Sequence, residues 1–204
     1  MNQLDTVKAT IKTGNEKLTF KDKTLDFSLL DFWRWSVSDI LSNATRGIFA
    51  EFVVATAAKI NLNEVRDEWG AFDLITSEGI KIEVKSSAYL QTWFQKALSK
   101  ISFSTKPAFV IDIETNQKSE VKIRSADIYV FCLLHHENKQ TVEPLNLDHW
   151  EFYVLATEQL NNYARSQHSI TLNSLKKLTN SVDYENLENE IKTKNGLNTA
   201  HNSQ

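Results

Sequence analysis

Apolar and polar positions fall into short blocks along this chain, and the clearest block is residues 72–87. Residues 72–76 are a short apolar run rich in strand formers, Ser77-Glu78-Gly79 supplies turn chemistry, and residues 80–85 alternate without a break. Alternation sends Ile80, Ile82 and Val84 to one face and Lys81, Glu83 and Lys85 to the other. The pattern predicts a β-hairpin with one apolar and one charged face, in which Gly79 takes the positive φ of the turn. Upstream, residues 48–58 are apolar nearly all round, which predicts a largely buried helix started by Asn43 or Thr45. Residues 25–40 carry Phe27, Leu29, Leu30, Phe32, Trp33, Trp35, Val37 and Ile40, and read as a packed, partly helical cap over the core. Residues 17–24 read as an edge strand.

Downstream, residues 89–98 read as a helix anchored by Trp93 and Leu98, and residues 108–113 and 121–123 as strands. Residues 126–134 are almost continuously apolar, as a central strand buried on both faces would be. A surface loop, His135-His136-Glu137-Asn138-Lys139, leads toward a further strand at Trp150–Ala156. Leu172, Leu175 and Leu178 mark a short helix, and Tyr184, Leu187 and Ile191 another, closed by Asn195-Gly196. No repeat or linker divides the chain. The expectation is one α/β domain over residues 1–196, a mixed central β-sheet flanked by helices, with a disordered tail at 197–204.

Composition narrows the setting. A chain of 204 residues, 41% hydrophobic and 24% charged, suits one soluble globular domain with a full core. Cys132 is the one cysteine and lies in an apolar run, which excludes an internal disulfide framework and reads as a core residue. The first residues lack the basic start and apolar stretch of a signal peptide, and no apolar run is long enough to span a membrane. The expected location is the cytoplasm. A net charge of −3 does not advertise nucleic-acid binding, but residues 81–106 hold five lysines against one acid. Such a stretch reads either as a phosphate-binding face or as a solvated surface.

The charged face of the hairpin is the candidate site. Asp73 precedes Glu83 by ten residues, on the preceding strand, and Lys85 follows Glu83 by two. Two carboxylates and an ammonium converging at a sheet edge are the parts of a magnesium-dependent phosphodiester hydrolase. Glu51 is the one charged residue in the buried helical run. A buried carboxylate needs a partner, so Glu51 either pairs with Arg46 or a lysine, or points at the hairpin's charged face.

The acid-x-lysine triplet alone is weak, since Glu120-Val121-Lys122 repeats it with Asp112 eight residues upstream. The first hairpin is preferred for its longer alternation, the acid in the helix before it and the lysines after it. Elsewhere the signals are poorer. His135, His136 and His149 lack zinc-site spacing. Asn43-Ala44-Thr45 matches a glycosylation acceptor only in form, and no glycine-rich phosphate loop or Ser-His-Asp grouping stands out. Trp33 and Trp35 read as core aromatics, with base stacking as the other use.

The order of these pieces resembles the PD-(D/E)XK nuclease superfamily, the restriction-endonuclease-like fold. The likeness lies in Arg46-Gly47-Ile48-Phe49-Ala50-Glu51 and Ile82-Glu83-Val84-Lys85-Ser86-Ser87, with Phe72 rather than proline before Asp73. Its wider layout, from Phe32-Trp33-Arg34-Trp35 to Trp150-Glu151-Phe152-Tyr153, resembles an uncharacterised bacterial branch. The resemblance implies that Asp73, Glu83 and the backbone carbonyl of Val84 bind Mg²⁺, or Mn²⁺ in its place, with Glu51 completing the shell or holding a water. It implies that Lys85 orients the water or stabilises the phosphate's charge, and that Gln91, Lys96 and Lys100 contact nucleic acid. The expected activity is DNA endonuclease, first in restriction or phage defence, second in repair or recombination. An inactive nucleic-acid- or protein-binding module on the same fold is the alternative. DNA is the expected partner, with no organic cofactor and no membrane. RNA is an open second substrate, and a homodimer would bring two sites to two strands.

Overall fold

The chain, seen in a computed structural model that describes residues 7–112, 115, 117–163 and 168–201, begins with a hairpin of β1 (Lys17–Phe20) and β2 (Lys23–Ser28). Helix α1 (Leu29–Val37) follows directly, and Ser28 caps it in a reciprocal arrangement with Asp31. Next come α2 (Asn43–Ala57), β3 (Leu74–Ile75), β4 (Lys81–Ala88) and β5 (Ser102–Ser104). After them run β6 (Ile128–Leu134), β7 (Trp150–Ala156), α3 (Thr157–Asn162), β8 (Ser169–Thr171), α4 (Leu172–Leu175), β9 (Ser181–Val182) and α5 (Leu187–His201).

The central sheet has the order β3-β4-β6-β7-β9. Strands β4 and β6 are parallel and the other pairings antiparallel, so the fold is α/β with a mixed sheet. All seven residues of β6 are buried, as its unbroken apolar sequence demands of a strand covered on both faces. Alternation along β4 divides the core in two. Ile82 and Val84 pack with Ala50, Val53 and Val54 of α2 and with Leu187 and Ile191 of α5. Tyr129, Phe131 and Leu133 of β6 face the other way, toward Phe103, Leu160, Ile170 and Leu175. Each fully buried Leu, Ile or Phe contributes about 1.5–3 kcal/mol. The two faces therefore hold β4 firmly, and on the β3 side its edge past Ile82 has no strand partner among the described residues. Among the described residues, no helix is long and apolar enough to cross a membrane.

Several expectations are corrected. Residues 25–40 do not cap the core: α1 buries no residue, Trp35 is 85% exposed, and Phe27 and Phe32 are more than half exposed. The strand expected at 17–24 is a two-stranded hairpin apart from the main sheet. Residues 89–98 form no helix. The Gln91 N–H donates to Gln95 Oε1, and Gln95 Nε2 donates to the Tyr89 carbonyl at 3.1 Å, so side chains replace the helical ladder. Tyr89, Thr92, Trp93 and Phe94 are also poor helix formers. The strands expected at 108–113 and 121–123 reduce to two isolated bridges, Ala108 with Ile123 and Ile111 with Lys118, and residue 113 lies outside the described residues. Helix α2 starts after Ser42, and Asn43 lies inside it, accepting from Arg46 Nη2 at 2.6 Å. Its outer ridge is not buried, since Ile48 and Phe52 are about half exposed. Helix α5 runs through the expected stop at Asn195-Gly196. Of the tail expected at 197–204, residues 202–204 lie outside the described residues.

Candidate active site

The hairpin forms as its sequence requires. Gly79 has φ +85, its N–H donates to the Thr76 carbonyl, and Leu74 pairs with Ile82. Asp73 stands immediately before the two-residue β3, at the end of the pairing. Its N–H still donates to the Ile82 carbonyl at 3.1 Å, but its carboxylate Oδ2 accepts from the Val84 N–H at 2.7 Å. The acid thus takes the place of a backbone partner and is fixed at the open edge of β4.

Glu83 and Lys85 lie on the face of β4 that carries Tyr129 and Phe131 on the parallel neighbour. Both are half-buried, and Lys85 Nζ donates to Glu83 Oε1. Burial pushes the Glu83 carboxyl up, Asp73 adds repulsion, Lys85 opposes the shift, and Glu51 adds a smaller push. The Tyr129 phenol is also pushed up, by burial first and then by Glu83. Asp73, Glu83 and Lys85 are therefore brought together, and Glu51 is close enough to be felt.

Glu51 reaches this edge from α2, on the opposite face of the sheet. It is 9% exposed, and neither Arg46 nor a lysine pairs with it. Its partner is Arg66, which donates from Nε to Oε2 and from Nη2 to Oε1 at 3.0 Å. This two-point bond raises the Arg66 pKa. Sequence reading passed over Arg66. The available signal was the charged Arg66-Asp67-Glu68 run leading into Asp73, which a lone buried acid upstream should draw inward.

The described hydrogen bonds use Oδ2 of Asp73 and Oε1 of Glu83 and leave the second oxygen of each without a protein partner among the described residues. Among those residues, no group of three or more His, Cys, Asp or Glu side chains forms a ready-made metal cluster. A magnesium ion does not need one: it is held by one or two carboxylates with waters and substrate phosphate. The all-oxygen donors of Asp73 and Glu83, whose mutual repulsion a cation relieves, fit that requirement.

The other expected residues fall differently. Gln91 is buried in an irregular segment, and its Nε2 donates to the Ala88 carbonyl at 3.1 Å and to Ser99 Oγ at 3.3 Å. Lys96 and Lys100 are exposed on the same segment. In the rival hairpin Asp112, Glu120 and Lys122 are all exposed, and Asp112 Oδ1 accepts from the Thr115 N–H at 2.8 Å. Lys118 and Lys122 stand over the Phe109 ring at 3.7 and 5.1 Å. His136 and His149 stack at 4.0 Å. Cys132 is fully buried and its thiol is pushed up, as expected of a core residue.

A cavity of about 760 Å³ opens beside these acids, lined by Glu51, Arg66 and Asp73 themselves and by apolar residues of α2 and the 60–75 segment. The fold therefore offers a carboxylate pair, an ammonium and an adjoining cleft in one place. A family model for bacteriophage T4 endonuclease IV matches residues 2–174, which takes in every candidate acid and lysine. The chain belongs to the bacteriophage T4 endonuclease IV family. No curated relative matches the chain. Within the T4 endonuclease IV family match lie the whole of α2, both acid-x-lysine hairpins and all but the last strand of the central sheet.

Proposed function

We propose that the chain is a metal-dependent DNA endonuclease whose reaction centre is Asp73, Glu83 and Lys85. The observation that supports this most is the convergence of these three side chains at the open edge of β4, in a chain of an endonuclease family. The order of helix, Asp hairpin and Glu-x-Lys strand also supports the PD-(D/E)XK reading.

Asp73 and Glu83, with the Val84 carbonyl as a further oxygen, would hold Mg²⁺ or Mn²⁺. When bound, the ion supplies Lewis acidity at a phosphate oxygen and a more acidic water. The protein's own groups do the remaining work. Asp73 is pre-positioned by the Val84 N–H, so it needs no reorganisation to serve. Lys85 places its charge beside Glu83, where it offsets negative charge that builds on a phosphate during cleavage. Arg66 holds Glu51 in place and keeps a third buried acid from standing uncompensated. Lys96 and Lys100, exposed on the segment after β4, suit backbone-phosphate contacts that give affinity without sequence reading. A family named for a phage enzyme suits a role in phage–host conflict, the setting of restriction and defence nucleases.

The test is divalent-metal binding by calorimetry, then plasmid nicking in Mg²⁺ or Mn²⁺, for wild type, Asp73→Asn and Asp112→Asn. Loss of both in the Asp73 variant alone is expected. Loss in the Asp112 variant alone would move the site to the other hairpin, and a wild type that neither binds metal nor nicks would end the nuclease reading.

A further inference from the structure

The cavity beside Asp73 is not used by the chemistry above. Its ionisable lining is one-sided: Glu51, Glu64, Asp67, Asp73 and Asp112 against Arg66 alone. Arg66 is already committed to Glu51. A phosphate would be repelled from such a pocket. Its walls otherwise are apolar and aromatic. Ile48 and Phe52 form a half-exposed ridge on α2, one turn apart, and Phe72 lies three residues after Trp69 in the same loop. Trp69 is 75% exposed. Large aromatics left open around a concave site mark a binding surface rather than a core.

The backbone of the loop holding Trp69 is tied down at both ends and in the middle. Arg66 pins its start to Glu51, and Asp73 pins its end to Val84. Asp67 Oδ1 accepts from the Trp69 N–H at 2.9 Å. At Gly70 an added Cβ would meet the Phe72 carbonyl oxygen at 3.0 Å and Asp67 Oδ2 at 3.1 Å, so the turn leaves little room for a side chain.

We propose that this cavity receives a nucleobase taken out of its stack, with Trp69 as the stacking platform, so that the phosphate attached to it lies at Asp73 and Glu83. The proposal rests on the nuclease reading and adds a substrate subsite to it. The ligand that fits is uncharged and flat, and carries N–H donors for the surrounding carboxylates. A base has all three properties, and its own phosphate stays outside the acidic pocket. Continuity decides between a base and an unrelated apolar ligand. Asp73 is both a wall of the cavity and a residue of the reaction centre, so the occupant is what adjoins the cleaved bond.

The experiment measures binding by fluorescence anisotropy in EDTA, where no cleavage occurs. The probes are a labelled DNA oligonucleotide and an oligomer of equal length whose sugars all lack bases. Wild type, Trp69→Ala and Trp69→Phe are compared, with Phe52→Ala as a second wall variant. Wild type should prefer the base-bearing strand. Trp69→Ala should weaken that strand about tenfold or more, the scale of one base–aromatic stack, and leave the abasic strand unchanged. Trp69→Phe should restore most of the loss, and Phe52→Ala should lose part of it. Trp69 is exposed, so its variants should melt as wild type does. Equal loss on both strands, or no loss on either, would overturn the proposal. Plasmid nicking separates it from the nuclease reading. Base-dependent loss in an enzyme that never nicks would sink the nuclease reading alone. Normal nicking with no base-dependent loss would sink the subsite alone.

Discussion

The chain contains the same local chemistry twice, and the fold gathers and half-buries only one copy. Asp73, Glu83 and Lys85 stand on a hairpin whose second strand is the second member of a five-stranded sheet, with α2 packed on one face and Tyr129 and Phe131 beside the acid on the other. Asp112, Glu120 and Lys122 stand on an arm held by two isolated bridges, with all three side chains exposed. In the first hairpin the lysine meets the acid, and the acid is desolvated and feels a second carboxylate. In the second, Lys122 and Lys118 lie over an aromatic ring. Burial, not spacing, turns an acid-x-lysine triplet into a centre with shifted protonation and uncommitted oxygen donors.

The largest expected effect breaks the comparison most directly. Asp73→Asn and Glu83→Gln should each lower the initial rate of plasmid nicking by about 10²-fold or more, the scale of losing a preorganised charge at a reaction centre. Glu120→Gln and Lys122→Ala should change it within about twofold, as surface substitutions do. A comparable fall in the second pair would mean that the arm, not the sheet edge, carries the reaction.

Next is a stability difference. Arg66→Ala leaves Glu51 buried without its two-point partner and should destabilise the fold by about 1–3 kcal/mol. The figure sits below that of a fully buried pair because the Arg66 side chain is 35% exposed. Urea unfolding gives the number. A shift in midpoint no larger than that of Lys122→Ala would show that Glu51 finds water when Arg66 is gone.

The pH dependence sharpens the contrast further. Glu83 titrates above the ordinary carboxylate range because of burial and the neighbouring Asp73. Its charged form is required to take up the metal, so metal affinity, and nicking at limiting metal, should rise with pH through that raised value. Asp73→Asn should move the residual rise to lower pH. For stability the sign is reversed. The native state holds this proton more tightly than the unfolded chain, so Glu83's contribution is full below the unfolded pKa and is lost as pH rises through the native one. Exposed Glu78, held at about 2 chiefly by Lys192, behaves oppositely, and its contribution is lost as pH falls toward that value. Melting curves of wild type, Glu83→Gln and Glu78→Gln across acidic pH separate the two, since each variant should flatten only its own limb.

Much of this was legible where one short stretch determines its own structure. The alternation of 80–85, the turn at Gly79, the unbroken apolar run of β6 and the bounds Trp150–Ala156 of β7 all follow from local pattern. What was misread depends on partners distant in sequence. The aromatics of 25–40 look like core because apolar residues usually are, yet α1 packs on its own hairpin and buries nothing. Residues 89–98 have a roughly helical spacing, but Gln91 and Gln95 satisfy backbone groups that a helix would pair. The partner of Glu51 lies fifteen residues away in an irregular loop, where no periodicity announces it. The convergence of Asp73, Glu83 and Lys85 was legible as a set of residue types. The adjoining cavity was not, because its walls come from α2, the 60–75 segment and the rival arm together.

The smallest expected effect concerns the lysines of that arm. Lys118 stands 3.7 Å from the Phe109 ring centroid and Lys122 5.1 Å. An exposed cation–π contact is worth about 0.5–1 kcal/mol. Lys118→Ala should cost about that much in urea unfolding, and Lys122→Ala less, because its ammonium is farther from the ring and Lys118 remains. Neither should alter nicking beyond what the stability loss explains. In the first hairpin the order is inverted, since Lys85→Ala should lower the rate far more than it lowers the unfolding midpoint. A Lys122→Ala variant that kept its midpoint but lost its nicking would give the second triplet a chemical role and dissolve the distinction.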